Sequence, residues 1–130
     1  MWKSLLASTI SVIILDLLWL RLVAVQWYQN TVMDLLRVVN GSVVPRILPW
    51  LLFYVVILVG LNVLIIIPTD KCVKALWLGA LAGLMTYGTY ALTCLAVYKD
   101  WTWGLALGDI IWGMVLCSVV CCVGVYFKNV

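Results

Sequence analysis

Four long apolar runs, parted by short polar breaks, leave this chain little choice of environment. They extend from about Leu5 to Val25, Ile47 to Ile67, Ala75 to Tyr98 and Thr102 to Phe127, each close to or above the roughly 20 residues that a helix needs to cross the hydrocarbon layer. Backbone polar groups in lipid must be satisfied inside the segment, and continuous runs without two-residue alternation do this as helices. With 67% hydrophobic and 10% charged residues among 130, a soluble domain is excluded. The expected fold is all-α: an integral membrane four-helix bundle, a single multi-pass transmembrane domain over residues 1–130.

The breaks carry the remaining local information. Met1-Trp2-Lys3-Ser4 before an apolar run resembles the start of a secretory signal, but the run is long enough to span, holds Asp16 at its middle and lacks a small-residue cleavage pattern. Gln26 to Arg46 mixes Trp27, Tyr28, Val32 and Leu35 with Gln29, Asn30, Asp34 and Arg37, the pattern of an interfacial helix between spans one and two. Asn40-Gly41-Ser42 ends it; the tripeptide also fits the N-glycosylation acceptor pattern, a weak signal at three residues. Pro45 and Pro49 open span two, Pro68-Thr69-Asp70-Lys71 closes it, and Lys99-Asp100-Trp101 turns the chain into span four. Lys3, Lys71, Lys74 and Lys128 then fall on one side of the membrane and Arg21, Arg37, Arg46 and Lys99 on the other. An even division leaves the orientation open.

Composition removes several chemistries. The chain has no His and no Glu, so the common zinc and di-iron ligand sets are missing and neither a metal nor a cofactor is expected. Basic residues stand singly at the ends of runs, without the stripe that nucleic acid requires. The cysteines, Cys72, Cys94, Cys117, Cys121 and Cys122, fall mostly inside apolar runs, where they pack as small hydrophobes.

Against this background the intramembrane carboxylates stand out, since an acid at mid-membrane is costly and marks a site by default. Asp16-Leu17-Leu18-Trp19 and Asp109-Ile110-Ile111-Trp112 repeat one spacing in the first and last spans. Trp19 and Trp112, each at i+3, lie on the acid's side of the helix and offer ring faces to a cation. Arg21, at i+5 from Asp16, points away from it. Span three adds Thr86, Tyr87, Thr89, Tyr90 and Thr93; Thr86, Tyr90 and Thr93 share a face at i, i+4 and i+7. Threonines in membrane helices commonly bond their own backbone, but five hydroxyls in half a span favour a polar lining. Gly79 and Gly83 form the four-residue seam along which membrane helices pack. Counting depth at about 1.5 Å per residue places Asp16, Asp109, Tyr54 and the Tyr87 to Thr93 group within a layer about 10 Å thick. These residues are expected to form one pocket opening toward Gln26 to Arg46. Two carboxylates there are costly to ionise together, so a proton or a cation is expected with them.

Leu15-Asp16-x-x-Trp19-Leu20, Phe53-Tyr54 with Gly60 and Pro68, Tyr87-Gly88-Thr89-Tyr90-Ala91-Leu92-Thr93 and Asp109-x-x-Trp112-Gly113 together resemble the DUF 2177 family of small predicted membrane proteins, in order and across most of the chain. The resemblance implies four spans and this choice of residues, and no reaction. The family's third-span motif is similar to Tyr-Ala-Thr-Tyr-Asp-Leu-Thr-Asn, whereas Ala91 and Cys94 stand here at its acid and amide.

Three functions compete. The leading expectation is a proton-coupled or cation-handling transporter or channel, with Asp16 and Asp109 as proton or cation sites and Trp19, Tyr54, Tyr87, Tyr90 and Trp112 as walls. Its partners are the lipid bilayer, a proton, cation or amphiphilic small molecule, and a second copy of the chain, since its size and first-span acid are similar to those of the dimeric small multidrug-resistance exporters. The second is an accessory subunit whose polar groups bond partner helices. The third is an intramembrane enzyme acting on lipid or peptide through paired aspartates, the acid–base chemistry that needs neither His nor metal.

Overall fold

The computed structural model describes residues 1–130 and consists almost entirely of helix. α1 (Trp2–Trp19) passes through a π-helical turn (Leu20–Ala24) into α2 (Val25–Val32) and a short 3-10 turn (Met33–Leu35), forming one rod of 34 residues. α3 (Ile47–Leu61) continues through a second π-turn (Asn62–Ile66), and α4 (Cys72–Val97) and α5 (Trp103–Asn129) complete the bundle. All four rods are long and apolar enough to cross a membrane. The protein is a multi-pass integral membrane protein.

The separate interfacial helix expected from Gln26 to Arg46 is not present as such. Its first part continues the rod of α1 without a break, and Trp27 and Tyr28 find partners on α5: a Cβ at Gly108 would overlap the Trp27 ring, and the Tyr28 hydroxyl donates to the Asp109 carboxylate. Its second part is a hairpin of β1 (Val38–Val39) and β2 (Ser42–Val43), antiparallel with Val39 opposite Ser42. Asn40 and Gly41 both take positive φ, 52° and 80°, as a type I′ two-residue turn demands and as Asn-Gly tolerates best.

α4 and α5 pack most extensively, and small residues allow it. A Cβ at Gly79 would meet the backbone of Cys117 and Ser118, and one at Gly83 the backbone of Gly113 and Met114. The Gly79/Gly83 seam is thus occupied by the chain's own last helix, and Ser118 donates across it to the Leu76 carbonyl at 3.0 Å. α1 lies along α5, turning Ser4, Ser8, Val12 and Asp16 inward at intervals of four residues. Thr102 caps α5 by accepting from the Leu105 amide at 3.2 Å.

α3 is the exception. Its lower end is anchored by Ile57, Leu61 and the π-turn, where Asn62 donates to Ser8 Oγ at 3.2 Å and to the Leu58 carbonyl at 2.8 Å. Its upper half, Ile47 to Val56, is held to the other helices chiefly by Phe53 and Tyr54, with most of its side chains exposed. Two dry cores result. One gathers Val12, Leu61, Ile66, Leu116, Val120 and Val125; the other, nearer the hairpin, gathers Val32, Ala91, Cys94, Trp101, Leu105 and Ile110.

Candidate functional site

The residues that break the apolar pattern lie between these two cores. α1 presents Asp16 and α5 presents Asp109, each only 6% exposed, and both line one cavity of about 760 Å³. Each acid has a tyrosine: the Tyr54 hydroxyl of α3 donates to Asp16 Oδ2, and the Tyr28 hydroxyl of α2 donates to Asp109 Oδ2. Tyr28 also meets the Tyr90 hydroxyl at 3.1 Å. Burying a carboxylate without such partners would cost several kcal/mol, so these hydroxyls are what allow the acids to sit there.

The two Asp-x-x-Trp segments interlock. α1 and α5 run antiparallel, and Trp19 and Trp112 stack with ring centroids 4.8 Å apart and planes 4° from parallel. Each acid precedes its own indole by three residues, about 4.5 Å of helix axis, and on antiparallel helices the two offsets run in opposite directions. The Trp112 Nε1–H neighbours the Asp16 carboxylate and is buried without a partner at hydrogen-bond geometry. A buried donor left unpaired costs about 1–3 kcal/mol. Each indole has one face on the other, which reduces the ring surface that sequence spacing alone would assign to a ligand.

α4 supplies the third wall through Met85, Thr86, Tyr87, Thr89 and Tyr90. The Tyr87 ring fills the notch at Gly113, where any Cβ would overlap it. Thr86 donates to the Ala82 carbonyl at 2.8 Å and Thr89 to the Met85 carbonyl, so both hydroxyls bond their own helix and face the cavity only as acceptors. Thr93 corrects the expectation of a shared lining: it is exposed and does not border the cavity, because no α4 residue beyond the Tyr28–Tyr90 hydroxyl pair does. Tyr54 stands just behind the wall, reaching Asp16 while Trp50 and Phe53 line the space. Leu36 and Val43 of the hairpin segment border the far end. Ala91 is fully buried in the upper dry core, away from the cavity.

Tyr28 is the site residue that sequence reasoning misses. At about 100° per residue, twelve α-helical residues would turn it about 120° away from Asp16, whereas the extra residue of the π-turn restores both to nearly one face. The π-turn is therefore what closes the site on this side. The only signal was the four-residue spacing of Asp16, Leu20, Ala24 and Tyr28, all of which line the cavity.

Fold and site together define a small four-span membrane protein with an intramembrane cavity holding two tyrosine-bonded carboxylates. The chain belongs to the family described as predicted membrane protein (DUF2177), whose family model matches residues 1–126. No curated protein and no solved structure matches it.

Proposed function

We propose that the protein is a proton-linked carrier for a cation with apolar groups, using Asp16 and Asp109 as two stations for a proton or for the ligand's positive charge. The observation that carries this reading is that two carboxylates from different spans open into one cavity that no basic residue lines. An uncompensated pair of acids in a medium of low dielectric requires protons or a cation, and exchange of one for the other is the elementary step of coupling. The Tyr28 and Tyr54 hydroxyls beside the acids supply the polar contacts in an otherwise apolar interior.

Two features weigh against the competing readings. Paired-aspartate catalysis needs carboxylates about 3 Å apart to share one proton, and here each carboxylate takes its hydrogen bond from a tyrosine of its own, Tyr54 for Asp16 and Tyr28 for Asp109. An accessory subunit would use its small-residue seam on a partner, but Gly79 and Gly83 are covered by α5.

The test uses proteoliposomes loaded with a pH dye and given a tetrabutylammonium gradient, a fixed charge that carries no proton itself. Wild-type protein is expected to move protons saturably against the cation, and Asp16→Asn to lower the rate tenfold or more. Proton movement at the wild-type rate in Asp16→Asn, or none in the wild type, overturns the proposal.

A further inference from the structure

The cavity's openings indicate where its ligand comes from. The upper half of α3 touches α1 and α4 chiefly through the Tyr54–Asp16 bond and the edge-on Phe53–Tyr87 ring contact, centroids 6.4 Å apart, and the residues flanking the α3–α4 gap beside that contact are exposed: Val56 at 71%, Met85 at 64%, with Thr86 and Thr89 beside them. These positions lie within spanning helices, so the gap faces acyl chains and not water. A solute reaching the acids by that route must first dissolve in the bilayer.

The chemistry of the walls narrows the class further. Fifteen of the nineteen lining residues are hydrophobic, so most of the ligand's contact surface must be apolar. The polar contribution is concentrated at Asp16 and Asp109, with no Lys or Arg to receive a phosphate or carboxylate head. A volume of about 760 Å³ falls in the range of small-molecule sites, enough for a head group and part of one chain.

Resting on the carrier reading, we infer that the ligand is a bilayer-dissolved, single-chain ammonium amphiphile that reaches Asp16 and Asp109 sideways through the gap between α3 and α4. The ammonium head sits at the carboxylates, and the chain lies along Phe53, Val56 and Met85 and trails into the surrounding leaflet. Charge complementarity selects the head. The apolar wall then holds the chain without discriminating its length.

Wild-type protein in phosphatidylcholine vesicles is titrated with dibrominated octadecylamine, octadecanol or octadecanoate, and quenching of the tryptophans is followed. All three quench the lipid-facing indoles alike; the amine is expected to add a saturable component from Trp19, Trp50 and Trp112, absent with the other two. Asp16→Asn/Asp109→Asn should remove that component. Val56→Phe/Thr89→Phe, at exposed sites that leave the bundle intact, should slow its onset at least fivefold, while Val43→Phe at the hairpin end should not. Equal quenching by amine and alcohol overturns the ammonium assignment, and slowing by Val43→Phe alone overturns the lateral route. Saturable amine binding in protein that moves no protons against tetrabutylammonium sustains this inference and removes the carrier reading; coupled flux without amine binding does the reverse.

Discussion

The indole of Trp19 lies flat on that of Trp112, centroids 4.8 Å apart, so that one acid-plus-indole segment on α1 and another on α5 meet as antiparallel counterparts. The stack belongs to the interior of the site and to the contact between the first and last helices at once. The two tryptophans therefore divide differently under substitution.

Trp112→Phe keeps an aromatic face on Trp19 and removes a buried donor that has no partner. Because an unpaired buried donor costs about 1–3 kcal/mol, its loss offsets the smaller ring, and thermal unfolding in detergent should shift by no more than a few degrees. Trp19→Ala, which deletes the stack, should destabilise by about 2–4 kcal/mol. A larger loss in Trp112→Phe than in Trp19→Ala would show that the indole N–H is bonded.

The glycines differ sharply in what surrounds them. Gly83→Ala drives a Cβ into the α5 backbone at Gly113 and Met114, and neither helix can give way without separating α4 from α5; a loss of about 3 kcal/mol or more is expected. Gly60→Ala meets nothing within 4 Å and should be neutral or stabilising by about 0.5–1 kcal/mol. Thermal unfolding of the two variants side by side provides the check.

Lys128 closes the opposite end of the bundle. Its Nζ donates to the carbonyls of Ile66 and Ile67 at 3.0 Å and to that of Thr69, and it pairs with Asp70 at 3.1 Å. These carbonyls lose their helical partners where the second π-turn ends, so a cation there serves as a C-terminal cap. Lys128→Met should destabilise by about 1–3 kcal/mol, as expected for hydrogen bonds to a charged donor. Asp70, whose side chain is 88% exposed, contributes little, and Asp70→Asn should cost less than about 1 kcal/mol. Urea titration of both variants in mixed micelles would separate the two.

The first π-turn makes an unusual prediction about chain length. Deleting exposed Leu22 from Leu20–Ala24 converts the turn to ordinary α-helix and leaves the faces of Asp16 and Tyr28 aligned, so folding and ligand binding should survive. Inserting one alanine at the same place turns Tyr28 by about 100° and should detach it from Asp109. Ultraviolet difference spectra of the tyrosines, together with binding of the brominated amine, distinguish the two outcomes. Equal damage from deletion and insertion would refute this role of the π-turn.

Much of the architecture was legible from single residues. Apolar runs of spanning length admit only helices in lipid, so the four crossings followed directly. Asp16 and Asp109 declared themselves because an ionisable side chain is costly at that depth. Thr86 and Tyr90 were legible from one helical face, with Tyr87 and Thr89 flanking it, whereas Thr93 shares that face and still falls outside the cavity, since periodicity assigns direction and says nothing of where a neighbouring hydroxyl pair ends the space. That Gln26 to Val32 continues the first rod, and is not a helix of its own, was not legible from its polar residues, because it depends on a notch at Gly108 and an acid at Asp109, each 81 residues from its partner in sequence.

The sequence by itself determined the solvent, the number of crossings and the two places where charge enters the membrane, because transfer of side chains into hydrocarbon is a property of each residue alone. Only the tertiary structure decided that Tyr28 and Tyr54 serve the acids, that the indoles stack, and that α3 stands open toward lipid. Those outcomes depend on helix phase and on which backbones can approach. A π-turn or a glycine notch changes both without changing the pattern of hydrophobicity along the chain.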